Sequence, residues 1–255
     1  MRRVFVNADD CGLTDGVTEG IAAALDVGLV GGTTAMVCAA GARERLERLA
    51  QPFAGRIGLH LQLTGGRPCL PPQDVPSLVD ADGAFPRKKI AVVNVDPDEV
   101  RCEWRAQLAR LRSWGIEPSH LDAHHHIHKR PEVFPVFLEL ARELGVPARA
   151  VSEDMRRAFR AAGVPHADAC VTTWFAGDLS RERFLAAVED ACAGLGADAT
   201  VEVMTHPGYA DAALAAISSY AADRAMELRV LTDPIFLEEL VARGFAVILP
   251  ASLVR

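Results

Sequence analysis

Short apolar or β-branched runs alternate along most of this chain with longer amphipathic stretches. Residues 4–8 read as a first strand. Thr14-Asp15 then starts a helix through about residue 27, which Gly28 is placed to end. A strand at 33–37, a helix at 43–49 and a strand at 57–63 follow, the last with apolar and polar positions in strict alternation. Asp96-Pro97-Asp98-Glu99 has the form of a capped helix start, and the helix it opens keeps Val100, Trp104, Leu108 and Leu111 on one stripe before Gly115. Further on come a strand at 119–124, a helix at 131–144 and a weaker strand at 148–151. A helix at 180–195 precedes a strand at 200–204, and a helix opened by Asp233-Pro234 and ended by Gly244 precedes a strand at 245–249.

Strands alternating with helices imply parallel βα units, and about seven of them favour a closed or nearly closed (β/α) barrel over an open sheet. The stretch 65–95 breaks the pattern. It holds Pro68, Pro71, Pro72, Pro76 and Pro86 with no sustained period, and a loop of that length inside a domain is a candidate lid. No GxGxxG or GxxxxGK[ST] follows any strand, which weakens nucleotide-binding alternatives.

Composition narrows the picture further. A chain of 255 residues that is 50% hydrophobic can fill one core, so residues 1–255 are read as a single catalytic domain. The net charge of −7, with basic clusters only at Arg2-Arg3 and Arg87-Lys88-Lys89, argues against nucleic acid as a partner. Six scattered cysteines without CxxC spacing read as reduced thiols. With no apolar leader and no stretch long enough to span a bilayer, the expectation is a cytoplasmic protein without a membrane partner.

The chemistry concentrates in His120-Leu121-Asp122-Ala123-His124-His125-His126-Ile127-His128. On a strand, His120, Asp122, His124 and His126 would share the face turned into the barrel, near the C-terminal mouth where barrel active sites lie. Imidazoles alternating with a carboxylate suit a metal ion, the carboxylate fixing a ring's tautomer. In Gly58-Leu59-His60-Leu61-Gln62-Leu63-Thr64, His60 lies on the polar face of another strand and joins the candidate ligands. Asp9-Asp10 ends the first strand, and a bound cation would relieve the repulsion between the two carboxylates and divide them into ligand and base. His206 follows the strand that carries Glu202 and Met204.

Taken together, Asn7-Ala8-Asp9-Asp10-Cys11-Gly12, His60 in its strand, the His120–His128 run and His206-Pro207-Gly208-Tyr209 resemble the YdjC/ChbG-like carbohydrate deacetylases, in order and spacing over nearly the whole chain. Tyr220, Arg224 and Glu227-Leu228 look like that family too. The resemblance implies a distorted TIM-like (β/α) barrel. It also implies hydrolysis of N-acetyl groups on small acetylated sugars of the chitooligosaccharide type. It implies one divalent ion, Mg2+ or Zn2+, on Asp10, His60 and His124, with Asp9 as general base and His206 as general acid. Asp122, His126, Tyr209 and Arg224 are then outer partners or substrate contacts, and a homodimer is allowed. Cys11 stands where the family has Phe, a change expected to affect the pocket wall and no ligand. The rival readings are an amidohydrolase or PHP-type phosphoesterase barrel, a non-haem iron oxygenase, and a non-catalytic sugar- or metal-binding relative. The first expects HxH near the first strand, where this chain has Asp9-Asp10.

Overall fold

Seven parallel strands make one sheet in the computed structural model, which describes residues 1–254. The long strand β1 (Arg2–Cys11) runs through its centre. On one side follow β2 (Gly32–Ala35), β3 (Ile57–Leu61) and β4 (Leu121–Ala123); on the other lie β6 (Thr200–Thr205) and then β5 (Ala169–Val171). The seventh strand, β7 (Phe245–Val247), pairs with β1 from Arg2 to Val4, whereas β2 pairs from Asn7 onward, so the two share one edge of β1 end to end. β6 pairs along the opposite edge from Arg3 to Ala8.

The sheet curls into an incomplete barrel. Beyond β4 the expected strand at 148–151 is reduced to a single bridge, Leu121 to Ala148, held by Leu121 N–H to Pro147 O (2.8 Å) and Arg149 N–H to Leu121 O (2.9 Å). Helices pack outside. α1 (Asp15–Val27) is capped by Thr14, whose hydroxyl accepts from Val17 N–H, and ends at Gly28 with φ 90°. α2 is Ala42–Ala50, and α3 (Pro97–Ser113) opens on Asp96 and buries the stripe Val100, Trp104, Leu108 and Leu111. α4 (Phe134–Leu144) begins three residues later than the periodicity suggests, after a turn. α5 (Glu153–Ala162), α6 (Arg181–Ala191), α7 (Ala212–Ile217), α8 (Ala222–Leu231) and α9 (Pro234–Ala242) complete the shell.

Segment 65–95 has no strand or α-helix but three 3-10 turns, at Pro72–Asp74, Pro76–Leu78 and Lys89–Ala91. It is anchored, because Val75, Leu78, Phe85, Val92 and Val95 are buried in the main core. No described helix is long and apolar enough to cross a membrane.

Candidate active site

The C-terminal end of β1 aims three polar side chains inward. Alternation alone would turn Asn7 and Asp9 to one face and Asp10 to the other. The β1–β2 register, however, shifts between Ala8 and Cys11, and Asp10 has φ 71°, a left-handed conformation that aspartate tolerates better than most residues. This irregularity brings Asp10 to the same cavity as Asp9. Both are about 2% exposed.

On β3 and β4 the alternation holds as far as the strands do. His60 and Asp122 are register partners, and His60 Nδ1 lies 2.6 Å from Asp122 Oδ1, so Nδ1–H donates to the carboxylate and Nε2 is the nitrogen that can turn a lone pair to a cation. Thr34 donates its hydroxyl to Asp122 Oδ2 (3.0 Å). β4 ends at Ala123, and His124 opens a 3-10 turn to Lys129 in which His125 and His126 have φ of 54° and 51°. The shared face drawn through His120, Asp122, His124 and His126 therefore stops at His124. His126 comes within electrostatic range of Asp9, Arg149, His60 and His206 through the left-handed turn instead.

Asp10 Oδ1 stands 3.2 Å from His60 Nε2 and 3.0 Å from His124 Nδ1, and those two nitrogens are 3.3 Å apart. Oδ1 is buried and accepts no hydrogen bond of good geometry. Ligand atoms about 2.1 Å from a common ion lie about 3.0 Å apart at a right angle and about 3.4 Å apart at the tetrahedral angle. A carboxylate and two imidazoles at these separations, one with its tautomer fixed, fit a divalent cation. Without a cation the cluster draws in a proton: burial disfavours charge on His60, but the carboxylates of Asp122, Asp10 and Asp9 outweigh it and push its pKa up to about 10. Asp10 is held well below the usual carboxylate range despite burial, chiefly by Arg224.

Two other clusters fit a cation less well. Asp9, His60 and Asp122 also approach one another, but Arg149 already supplies their positive charge. Cys38, Cys69 and Glu103 converge, with the Cys38 and Cys69 sulfurs 3.7 Å apart. There the Glu103 carboxylate is taken by Cys69 N–H (2.8 Å), Leu70 N–H (3.0 Å) and Gln107 (2.8 Å).

Arg149, which the sequence reading did not single out, is the hub of the interior. It is 1% exposed and donates to both Asp9 oxygens (2.6 and 2.7 Å) and to Glu202 Oε1 (2.6 Å), with Asp122 Oδ2 at 2.9 Å. Burial alone would raise Asp9's pKa, but this bidentate pairing holds it far below the usual range, so Asp9 is ionised at any working pH. Glu202, also buried, is raised by desolvation. Asn7 donates to Asp9 Oδ1 (2.8 Å) and accepts from His120 Nε2 (2.7 Å), so His120 orients Asn7. Its pKa falls to about 3 through burial and Arg149, so it is neutral. A Cβ on Gly58 would lie 2.5 Å from His120 O and 2.7 Å from its ring, which is why that strand position is glycine.

Across the cavity, His206 follows β6. Its Nδ1 is buried without a hydrogen bond, 3.8 Å from Glu227 Oε1, while its backbone N–H donates to Glu227 Oε2. Tyr220 donates its hydroxyl to Glu227 Oε1 (2.6 Å), and Arg224, one turn earlier on α8, donates to Asp10 Oδ2. The His206 loop lies flat on α1. A Cβ on Gly20 would fall 2.6 Å from Gly208 Cα, and one on Gly16 would fall 2.5 Å from Tyr209 O.

This geometry, from Asp9-Asp10 to Glu227, lies within the residues 3–242 matched by the family model described as YdjC-like protein. The chain belongs to the YdjC-like family. A carbohydrate deacetylase from Geobacillus stearothermophilus is 40% identical over 97% of this chain and 96% of its own length. A chitooligosaccharide deacetylase from Serratia marcescens is 33% identical over 95% of each chain. Among solved structures, a protein from Enterococcus faecalis V583 proposed to cleave cellobiose phosphate superposes with a TM-score of 0.90 at 32% identity, covering 100% of this chain and 99% of that one. A family 4 acetyl xylan esterase from Clostridium thermocellum, in complex with cobalt, shares the fold (TM-score 0.53, 13% identity, 99% and 90% coverage).

In this YdjC-like chain the remaining sequence candidates divide. Arg224 and Asp122 touch Asp10 and His60 directly. The Tyr209 ring is half exposed, and its hydroxyl enters none of the site's hydrogen bonds. Cys11 is fully buried in the hydrophobic core, where burial pushes its thiol up to about 12. Cys11 therefore packs in the core rather than forming the pocket wall expected of it. Glu103 and Gln107 of α3 were also missed by the sequence reading. Gln107 accepts from Gln62 N–H (2.9 Å) and donates its amide N–H to Gln62 O (2.8 Å), just past β3. A hydrophobic stripe gives no hint of such buried polar neighbours.

Proposed function

We propose that this protein is a metal-dependent deacetylase that hydrolyses the N-acetyl group of small chitooligosaccharide-type sugars, releasing acetate and an amino sugar. The observation that carries the reading is the convergence of Asp10 Oδ1, His60 Nε2 and His124 Nδ1 beside an Asp9 locked in its ionised form. The sugar class comes from the carbohydrate and chitooligosaccharide deacetylases that match nearly the full chain.

A divalent ion on Asp10, His60 and His124 would supply Lewis acidity, polarising the acetyl carbonyl and acidifying water. Two imidazole donors favour Zn2+ or another transition ion over Mg2+, which prefers oxygen ligands. Asp9 takes a proton from the attacking water. Its pairing with Arg149 makes it a weak base, so it serves only where the water's acidity has been raised. His206, with a free Nδ1, protonates the amine nitrogen as the C–N bond breaks. Segment 65–95, anchored in the core through Val75, Leu78, Phe85, Val92 and Val95, is the element we assign to sugar selection.

The test is acetate release from N,N′-diacetylchitobiose by the metal-loaded protein. His124→Ala should lose the ion and turnover together. Asp9→Asn should keep the ion and lose about 10²-fold or more in turnover. Sugar binding without acetate from the wild type would refute the reading, and near-full activity in Asp9→Asn would refute the base assignment.

A further inference from the structure

Phe175 sits in the connection between β5 and α6, and its surroundings hold an apolar ring out to solvent. Its neighbour Trp174 is fully buried, edge-on to Phe184 (centroids 5.1 Å apart), and donates its indole N–H to Ser180 O (3.1 Å). That anchor fixes the connection. Phe175 itself is 44% exposed. Its ring stacks on Tyr220, with centroids 4.3 Å apart and planes within 17°. The Tyr220 hydroxyl accepts from Ala176 N–H (3.0 Å), so the residue next to Phe175 is tied to the ring beneath it. Ala176 has φ 58°, an unfavourable conformation for alanine that the turn nevertheless adopts. Below, the Arg224 guanidinium lies 5.9 Å from the Tyr220 centroid. His206 packs in T-shaped fashion against both rings, with centroids 5.2 Å from Phe175 and 5.8 Å from Tyr220.

We propose that Phe175 is the stacking platform for the pyranose ring that carries the leaving amine. The inference rests on the deacetylase reading above and adds where the sugar lies. The amine nitrogen is bonded directly to a ring carbon of the sugar, so a nitrogen that takes its proton from His206 brings that ring against whatever adjoins His206. What adjoins it, and remains open to solvent, is Phe175. A pyranose presents a patch of C–H bonds on one face and hydroxyls around its rim. A flat, rigid aromatic surface with water at its edges suits that shape, and neither stacked ring must be reordered on binding. The column also couples recognition to chemistry, because Tyr220 holds Glu227 and Arg224 holds Asp10.

The experiment measures N,N′-diacetylchitobiose binding by calorimetry, and KM and kcat by acetate release, for wild type, Phe175→Ala, Phe175→Leu and Phe175→Trp in the metal-loaded protein. The expected result is a rise of about five- to tenfold in Kd and KM for both Ala and Leu. Trp should restore them, and kcat should move much less than KM. Leucine separates the alternatives, since it keeps apolar bulk but lacks a flat face. If Phe175→Leu binds like wild type, or Phe175→Ala leaves Kd unchanged, the stacking platform is refuted. Phe175-dependent binding with no acetate from the wild type would instead refute the deacetylase reading and leave the platform standing.

Discussion

Removing Arg149 is the sharpest perturbation the interior offers. Arg149→Met keeps most of the volume but withdraws the guanidinium that pairs with Asp9, Asp122 and Glu202, all within 2.6 to 2.9 Å of it. Breaking such a buried cluster on one side costs roughly 3–5 kcal/mol, because the stranded carboxylates keep their desolvation penalty. For a chain of this size that corresponds to a fall in Tm of about 10 °C. The sign of the pH dependence follows from the shifts. In the wild type Asp9 is held below its unfolded value of 3.8, so its pairing stabilises the fold above that pH and is lost only as pH falls through the folded value. In the variant Asp9 loses the guanidinium that holds it down and rises, and Glu202, already raised by burial, rises further. They then fold most readily when protonated, and stability drops as pH climbs. Urea denaturation of the chelator-treated proteins at about pH 5 and about pH 8 should therefore show the larger deficit at the higher pH. Adding Glu202→Gln should recover part of it. A deficit below about 1 kcal/mol, or one equal at both pH values, would refute the account of Arg149 as the charge hub.

Three further outcomes follow from the site. Because carboxylates push metal-free His60 up to about 10, binding a divalent ion near neutral pH should expel about one proton per ion, read by calorimetry in buffers of different ionisation enthalpy. Uptake of no buffer-dependent heat would mean that His60 is already neutral. Arg224→Met frees Asp10 Oδ2 and should weaken ion affinity by about 10–100-fold in a competition titration, with Asp9 still clamped by Arg149. Gly20→Ala places a Cβ 2.6 Å from Gly208 Cα, so it should lower Tm by several degrees and reduce turnover by displacing His206. An unchanged Tm would show that the loop yields freely.

Periodicity made much of this legible. The caps of α1 and α3, the apolar stripe of α3 and the alternation in β3 are local signals, and the structure follows them. His60 and Asp122 meet because a strict two-residue period survives on adjacent strands. Arg149 was hidden for the opposite reason. It lies on a single bridge rather than a strand, with no period to assign it a face, and its three partners come from β1, β4 and β6. Among the later elements, α5, α7 and α8 are short and sit between irregular connections, so neighbouring packing decides them more than propensity does. Phe175 looks like any surface phenylalanine until Tyr220, far along the chain, is brought beneath it.

Asp9 and Asp10 show how adjacent, chemically identical residues acquire different work. The backbone irregularity turns both inward, and two arginines from distant parts of the chain then treat them differently. A carboxylate offers about four lone-pair directions. On Asp9, Oδ1 accepts from Asn7 and Arg149 Nη2, and Oδ2 accepts from Arg149 Nη1, which leaves roughly one direction, on Oδ2, for a proton. On Asp10, Arg224 takes Oδ2 and leaves Oδ1 wholly free between two imidazole nitrogens. Under the proposed mechanism the division between base and ligand is therefore one of available electron pairs. Exchanging the two roles would require moving both arginines, so no single substitution at Asp9 or Asp10 should convert one into the other.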